Sequence, residues 1–137
     1  MLIFLRALFV VVIASMLAVT SWASLQCPLF GVPRAVATHP WFIATLFDAY
    51  WGFITFYVWV CYKQTTLIAR LAWFVAIMLL GNIAMAAYCL AELFSISSRD
   101  TLTGLLTARR EGPGKLGLVL AALGIAVIAL ALNSARA

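Results

Sequence analysis

The sequence contains few charged residues. Charged side chains make up 9% of its 137 residues, as nine Lys or Arg and four Asp or Glu, while 66% of the residues are hydrophobic. A soluble particle of this length needs a mostly polar surface, which so few charged groups cannot supply. The composition therefore excludes an ordinary soluble globular fold and predicts one integral membrane domain over residues 1–137.

Residues that carry out common protein chemistry are also scarce. His39 is the only histidine, which excludes haem ligation by two histidines of one chain and disfavours a histidine-rich metal site. The three cysteines form no CxxC motif, and no P-loop, GxSxG or HExxH motif occurs. We therefore predict no enzymatic activity, no cofactor and no metal ion.

The formal net charge of +5 could suggest a nucleic-acid partner, but the basic residues are scattered among loops at the ends of apolar segments. In such positions, Lys and Arg set membrane topology and contact lipid headgroups. The predicted partner is therefore the lipid bilayer, and no nucleic-acid binding is predicted.

Four segments meet or approach the length that a membrane-spanning helix needs. A bilayer core of roughly 30 Å requires about 20 mostly apolar helical residues. The segments cover residues 2–23, 41–62, 71–93 and 116–133, and a connector over residues 95–115 separates the last two. The predicted fold is an all-α, four-helix integral membrane bundle with short loops.

The first segment also has features of a cleavable signal peptide. Arg6 precedes an apolar run, and the run ends at the small-x-small triplet Ser21-Trp22-Ala23. The run is longer than the usual ~7–15 residues of a signal core, and an interfacial Trp is typical of a retained helix. The sequence favours a retained span and leaves cleavage as the alternative.

The connector allows two interpretations. Three leucines followed by two arginines could form a short amphipathic helix on anionic lipid, namely Leu102, Leu105, Leu106, Arg109 and Arg110. A solvated loop explains the same residues equally well. The Gly112-Pro113-Gly114 sequence breaks regular structure and separates the last span from everything before it.

The basic residues do not decide the orientation of a four-span chain. One side would carry Arg6, Lys63, Arg70 and Arg136, and the other Arg34, Arg99, Arg109, Arg110 and Lys115. Because Lys63 and Arg70 tightly bracket a short loop, the sequence favours a multi-pass bacterial inner-membrane protein with both termini in the cytoplasm.

Asp48 is an acidic residue inside the second predicted span. A charge near the bilayer centre costs about 2.5–3.5 kcal/mol on insertion scales, so this carboxyl needs a partner, a proton or a wet cavity. Helical spacing places it on one stripe with Trp41, Thr45, Trp51, Gly52 and Thr55. We expect this stripe to face protein.

Asn82 is the predicted partner of Asp48. If residues 71–93 form one helix antiparallel to the second span, the depths of Asn82 and Asp48 differ by only about 4.5 Å. A hydrogen bond between the two side chains would then satisfy both polar groups. This pair either fixes helix packing or lets Asp48 exchange a proton or coordinate a cation.

The same four-span geometry predicts an interfacial cluster. Glu92 would lie level with Trp41 at the opposite membrane boundary, close to His39. In the last span, small residues allow close approach of another backbone, and the candidates for helix packing are Gly117, Ala121 and Gly124.

Two stretches carry a family resemblance: HPWFIATLFDAYWGFITFYVWVCYK, from His39 to Lys63, and RLAWFVAIMLLGNIAMAAYCLAELF, from Arg70 to Phe94. They resemble a family of small bacterial integral membrane proteins known as a domain of unknown function, number fourteen-seventy-five. The resemblance extends from the first span through the Leu-rich connector. It implies a helical membrane protein with no assigned activity, to which the span after Pro113 is an addition.

The leading functional prediction is a non-catalytic scaffold or accessory subunit of a membrane assembly, either a homo-oligomer or a larger complex. The alternative is a small proton- or cation-coupled transporter that uses Asp48, broadly similar to small multidrug resistance transporters, although their signature residues are missing. A third hypothesis, a membrane enzyme acting on lipid or quinone, would require His39 or Glu92.

Overall fold

A computed structural model describes residues 1–95, 102–112 and 114–134 of the chain. In this part of the chain the regular structure is helical, and the only β pairing is one isolated bridge between Gln64 and Arg110. The elements are, in order, α1 (Leu2–Gln26), a 3-10 turn (Leu29–Gly31), α2 (Arg34–Ala37), α3 (Pro40–Lys63), α4 (Leu67–Leu80), α5 (Asn82–Phe94), α6 (Leu102–Thr107) and α7 (Lys115–Ser134).

The three long helices are α1, α3 and α7, with 25, 24 and 20 residues. By length and composition, each could cross a membrane. They lie over three of the four segments expected from hydropathy, at residues 2–23, 41–62 and 116–133. The long apolar runs therefore form continuous helices.

The fourth expected segment, residues 71–93, is two helices in the structure. α4 ends at Leu80 and α5 begins at Asn82, with Gly81 between them at φ 52° and ψ −125°. This backbone conformation is one that side-chain-bearing residues rarely adopt, and a Cβ at Gly81 would also lie 2.7 Å from Cζ of Phe53. The sequence predicted one helix over this segment, and the structure has two. An apolar run with a central glycine permits either a continuous helix or a reversal of the chain.

α4 and α5 form a helical hairpin. Trp73 lies eight residues before Gly81 and Tyr88 seven residues after it, and their ring centroids are 4.8 Å apart. Each helix is about 20 Å long at 1.5 Å per residue. The hairpin is therefore roughly half as deep as the long helices, and its two outer ends lie at the same end of the molecule.

α7 packs along α4 in the same direction. A Cβ at Gly117 would lie 3.0 Å from the Trp73 ring, and one at Gly124 would lie 2.9 Å from Cβ of Leu79. Gly117, Ala121 and Gly124 are the buried residues of α7. These three small residues let α7 approach the hairpin of the same chain.

α1 packs against α5 in the opposite direction. Arg6, near the start of α1, donates from Nη2 to the carbonyl oxygen of Leu93 at 2.8 Å, and its guanidinium lies 4.7 Å from the centre of the Phe94 ring. A cation at this position stabilises the carbonyl end of α5.

Six of the seven basic residues in the described part of the chain lie at one end of the molecule, which we call the basic end. It is the end where α3 and α5 finish and where α1, α4 and α7 begin. The six residues are Arg6, Lys63, Arg70, Arg109, Arg110 and Lys115. Arg34, in α2, precedes α3 at the opposite end.

Two sequence expectations for the connector depend on residues or side chains outside those that the structure describes. α6 is helical over Leu102–Thr107, within the predicted connector. The amphipathic face expected there depends on the side chains of Leu102 and Leu105, which are outside the description. Arg99 and Arg136, which were counted in the distribution of basic residues over the two sides, also lie outside the described residues.

Candidate functional site

A buried polar cluster lies at the basic end. We call it the Glu92 cluster, and it consists of Lys63, Gln64, Tyr88, Glu92 and Arg110. Lys63, Gln64 and Glu92 are the buried polar or charged residues of the described chain, with exposed fractions of 0, 5 and 4%. Burial of charge at this level requires pairing, so the contacts of Glu92 determine what the cluster can do.

Glu92 is paired with two cations. Its carboxylate accepts hydrogen bonds from Nζ of Lys63 and from Arg110, whose Nε lies 3.1 Å from Oε1 and whose Nη2 lies 3.2 Å from Oε2. Lys63 is the last residue of α3, and Glu92 lies in the last turn of α5. The carboxylate therefore joins α3, α5 and the segment after α6.

Backbone pairing fixes the position of Arg110. Its N–H donates to the carbonyl of Lys63 at 2.8 Å, and its carbonyl accepts from the N–H of Thr65 at 3.2 Å. The Thr66 hydroxyl, which also caps α4, donates to the Gly112 carbonyl at 2.8 Å. The connector is thus tied to the α3–α4 turn by main-chain contacts as well as by charge.

Aromatic rings surround the buried ion pair. Gln64 donates from Nε2 to the hydroxyl of Tyr88 at 3.4 Å, and the Tyr88 ring is edge-on to Trp59 and Trp73, at centroid distances of 5.5 and 4.8 Å. Nζ of Lys63 also lies 5.1 Å from the centre of a Trp59 ring. This apolar surrounding strengthens each electrostatic contact in the cluster.

A cavity of about 380 Å³ opens beside the cluster. Its lining includes Trp73 and Tyr88, the cluster residues Glu92 and Arg110, and Lys115 at the start of α7. The lining therefore combines aromatic and charged side chains. Among the described residues, no group of three or more His, Cys, Asp or Glu side chains could hold a metal ion.

The structure does not bring Asp48 and Asn82 together. Asp48 is exposed on α3, and Asn82 is exposed as the first residue of α5, at the tip of the hairpin. Neither side chain has a hydrogen-bond partner within the described residues. The expected pairing assumed one continuous helix after Arg70, and the reversal at Gly81 removes that geometry.

Glu92 also lies away from His39 and Trp41. Those two residues begin α3, where Nδ1 of His39 accepts from the Trp41 N–H at 3.3 Å. Glu92 contacts Lys63 at the other end of this 24-residue helix, about 36 Å away. The interfacial cluster expected from the sequence is not formed, because α5 runs back toward the basic end.

Sequence reasoning missed most of the Glu92 cluster, including Lys63, Gln64, Tyr88 and Arg110. The available signal was Gly81-Asn82 at the middle of an apolar run that has a charged residue at each end, Arg70 and Glu92. A helical hairpin places those two charged ends at the same level. A continuous helix separates them.

The fold defines an all-helical protein in which three helices are long and apolar enough to cross a membrane. Residues 1–112 match the family described as "Protein of unknown function (DUF1475)", and the chain belongs to that family. The match includes the whole Glu92 cluster and ends before α7. No curated protein and no solved structure matches the chain.

Proposed function

We propose that the chain is an integral membrane protein that crosses the bilayer three times, through α1, α3 and α7. The lengths of these helices, at least 20 residues each, support this proposal, since 20 helical residues span about 30 Å. The α4–α5 hairpin enters from the basic end and returns to it. This topology replaces the four crossings expected from hydropathy.

The backbone hydrogen bonds of Gly81, at the tip of the hairpin, support a hairpin that ends inside the bilayer. Gly81 is buried, its N–H donates to Ile77 at 2.8 Å, and its carbonyl accepts from the Met85 N–H at 3.1 Å. Non-helical backbone at membrane depth is tolerated where protein covers it and its polar groups are paired. Gly81 meets both conditions, because the Phe53 ring covers it and its own N–H and carbonyl are paired.

We propose that the protein acts without catalysis, as a scaffold or accessory subunit of a membrane assembly in a bacterial inner membrane. One observation carries this proposal: the stripe of α3 that contains Asp48 is exposed along its length, and a Cβ at Gly52 would meet nothing within 4 Å. No other part of the described chain covers this stripe. A surface of this chemistry is expected to be covered by another protein.

Asp48 is the group on this stripe that needs a partner from outside. The Thr45 and Thr55 hydroxyls donate to carbonyls of their own helix, each at 2.8 Å. The Asp48 carboxyl has no such contact in the described residues, and it lies about 12 Å along α3 from its first residue. An unpaired carboxylate at this depth costs about 2.5–3.5 kcal/mol, which a donor on a neighbouring protein would offset.

The transporter hypothesis receives less support. A coupled transporter needs its titrating carboxyl to face a water-accessible path, and the cavity at the basic end is not lined by Asp48. The carboxylate that does line this cavity, Glu92, is paired with Lys63 and Arg110.

The experiment compares Asp48→Leu and Asp48→Asn with a neighbouring control, Phe47→Leu, which changes an exposed apolar residue of the same helix. Each variant is extracted in native-membrane nanodiscs, and the mass of the assembly is measured. We expect the unchanged chain and Phe47→Leu to run well above the mass of one chain and Asp48→Leu to run as a single chain. An unchanged mass in Asp48→Leu would contradict the subunit proposal.

The Asp48→Asn variant separates the two functional hypotheses. Asn keeps a hydrogen-bonding group of the same size, so a subunit should keep most of its assembly. If Asp48→Asn assembles normally but abolishes proton-driven uptake of a cation into vesicles, the transporter hypothesis replaces the subunit proposal.

A further inference from the structure

The cavity at the basic end has the size and position of a ligand site. Its volume of about 380 Å³ lies within the roughly 300–1,000 Å³ of small-molecule pockets. It is formed where α5 ends and α7 begins, the level at which lipid headgroups would lie if the proposed topology holds. The buried rings of Trp73 and Tyr88 form part of its lining.

The basic end as a whole favours an anion. The cavity lining holds two cations, Arg110 and Lys115, and two acids, Glu111 and Glu92, and Glu92 is already paired with Lys63 and Arg110. Lys115 has no ion-pair partner among the described residues. The described basic end carries six basic side chains and two acidic ones, which leaves an excess of four positive charges.

The start of α7 lies beside the cavity and adds hydrogen-bond donors. Gly112, Gly114 and Leu116 line the cavity together with Lys115. The first N–H groups of a helix have no acceptor within that helix and favour negative charge. Arg110 and Lys115 also line the cavity, so a phosphate there would meet cationic side chains together with these N–H groups.

An exposed apolar stripe continues from the cavity along α7. Leu116 lies at the rim, and Val119 and Leu123 follow it on the same helical face, with exposed fractions of 41, 64 and 54%. A free phosphate has no apolar group that could contact this stripe. An acyl chain attached to the phosphate would cover it.

We propose that this cavity binds the phosphate headgroup of an anionic phospholipid, held by Arg110 and Lys115, with an acyl chain along Leu116, Val119 and Leu123. The proposal rests on the proposed membrane location of the protein. It does not involve Asp48. The mass of the assembly therefore tests the subunit proposal, and the binding of lipid tests this site.

The test measures thermal unfolding of the purified full chain in a neutral detergent during titration with short-chain dihexanoyl phosphatidylglycerol. Dihexanoyl phosphatidylcholine and inorganic phosphate are titrated in parallel. We expect a saturable rise in Tm with the anionic lipid and a much smaller rise with the other two probes. An equal rise with inorganic phosphate would overturn the lipid assignment, and no rise with the anionic lipid would overturn the site.

Lys115→Gln removes the unpaired cation of the cavity and should weaken the Kd for the anionic lipid about fivefold, the contribution typical of one Lys near an anionic headgroup. The matched control is Arg109→Gln, because Arg109 lies at the same end but stacks on Tyr62 outside the cavity. We expect this control to keep the original Kd. Equal weakening in both variants would mean diffuse attraction and would overturn the site, while Lys115→Arg should retain binding.

Discussion

Glu92 connects three distant parts of the chain through one carboxylate. Lys63 at the end of α3 and Arg110 after α6 both donate to it, although they are 47 residues apart in sequence. The site is buried, so the loss of one of these charged groups would leave a buried charge without its counter-charge. Glu92 therefore acts as a structural connection. Its removal should lower the free energy of unfolding by more than the loss of any single surface contact.

We predict that Glu92→Gln lowers the free energy of unfolding by about 3–5 kcal/mol, because Lys63 and Arg110 lose their shared carboxylate. The measurement is reversible unfolding in mixed micelles of detergent and sodium dodecyl sulfate. Glu111→Gln removes an exposed acid at the same end and should change stability by less than about 0.5 kcal/mol. Similar effects of the two substitutions would contradict a special role for Glu92.

The sequence identified both Asp48 and Glu92 as residues of interest, but it predicted Glu92 beside His39 and Trp41 and not beside Lys63 and Arg110. An acid inside an apolar run is conspicuous in any hydropathy profile, whereas an acid at the end of a run is ordinary. The importance of Glu92 arises from its contacts with Lys63 and Arg110, which depend on how α5 folds back. Pairwise contacts of this kind cannot be obtained from hydropathy or helical periodicity.

At the scale of elements, the hairpin depends on Gly81. Its conformation, φ 52° and ψ −125°, is rare for residues that carry a side chain, and the Phe53 ring occupies the space where a Cβ would lie. The first condition comes from the reversal between α4 and α5, and the second from the close approach of α3 to the tip. The reversal in turn positions Tyr88 and Glu92 against α3.

We predict that Gly81→Ala lowers the free energy of unfolding by about 1–3 kcal/mol from backbone strain alone, with a further loss from the contact with Phe53. Gly52→Ala is the control, since a Cβ there would meet nothing and alanine favours helix by up to ~1 kcal/mol. Chemical unfolding of both variants provides the comparison. Equal stability of the two variants would contradict the strained reversal at Gly81.

Hydropathy and length were sufficient to predict the helices α1, α3 and α7, because long apolar runs satisfy their backbone most simply as helices. They were not sufficient for α4 and α5. A glycine in the middle of an apolar run is compatible with one long helix or with a reversal, and the choice depends on packing against Phe53 and Trp73. The predicted pairing of Asp48 with Asn82 assumed one continuous helix over residues 71–93, and it is not formed because the chain reverses at Gly81.

At the scale of the whole molecule, the hairpin changes the distribution of charge. A four-span chain divides its Lys and Arg residues almost evenly, but the described structure has six at the basic end and Arg34 at the other. Positive residues near membrane segments are retained in the cytoplasm. The proposed orientation therefore places the start of α1 in the cytoplasm and the end of α7 across the membrane.

We predict that a reporter fused after Ser134 lies on the opposite side of the membrane from one fused after Gly112. Alkaline phosphatase should be active only in the first fusion, and green fluorescent protein should fluoresce only in the second, because α7 crosses between them. The Gly112 fusion is the internal control for expression. A phosphatase signal at Gly112 combined with fluorescence at Ser134 would instead indicate four spans.

The contact between α1 and α5 has a consequence for synthesis of the protein. α1 is synthesised first, and its partner is complete only when the 68 residues from Cys27 to Phe94 have been added, which takes about 3–14 s at roughly 5–20 residues per second. Arg6 cannot reach the Leu93 carbonyl before then. In the proposed topology, the first membrane-spanning helix therefore spends those seconds without the helix that it later packs against.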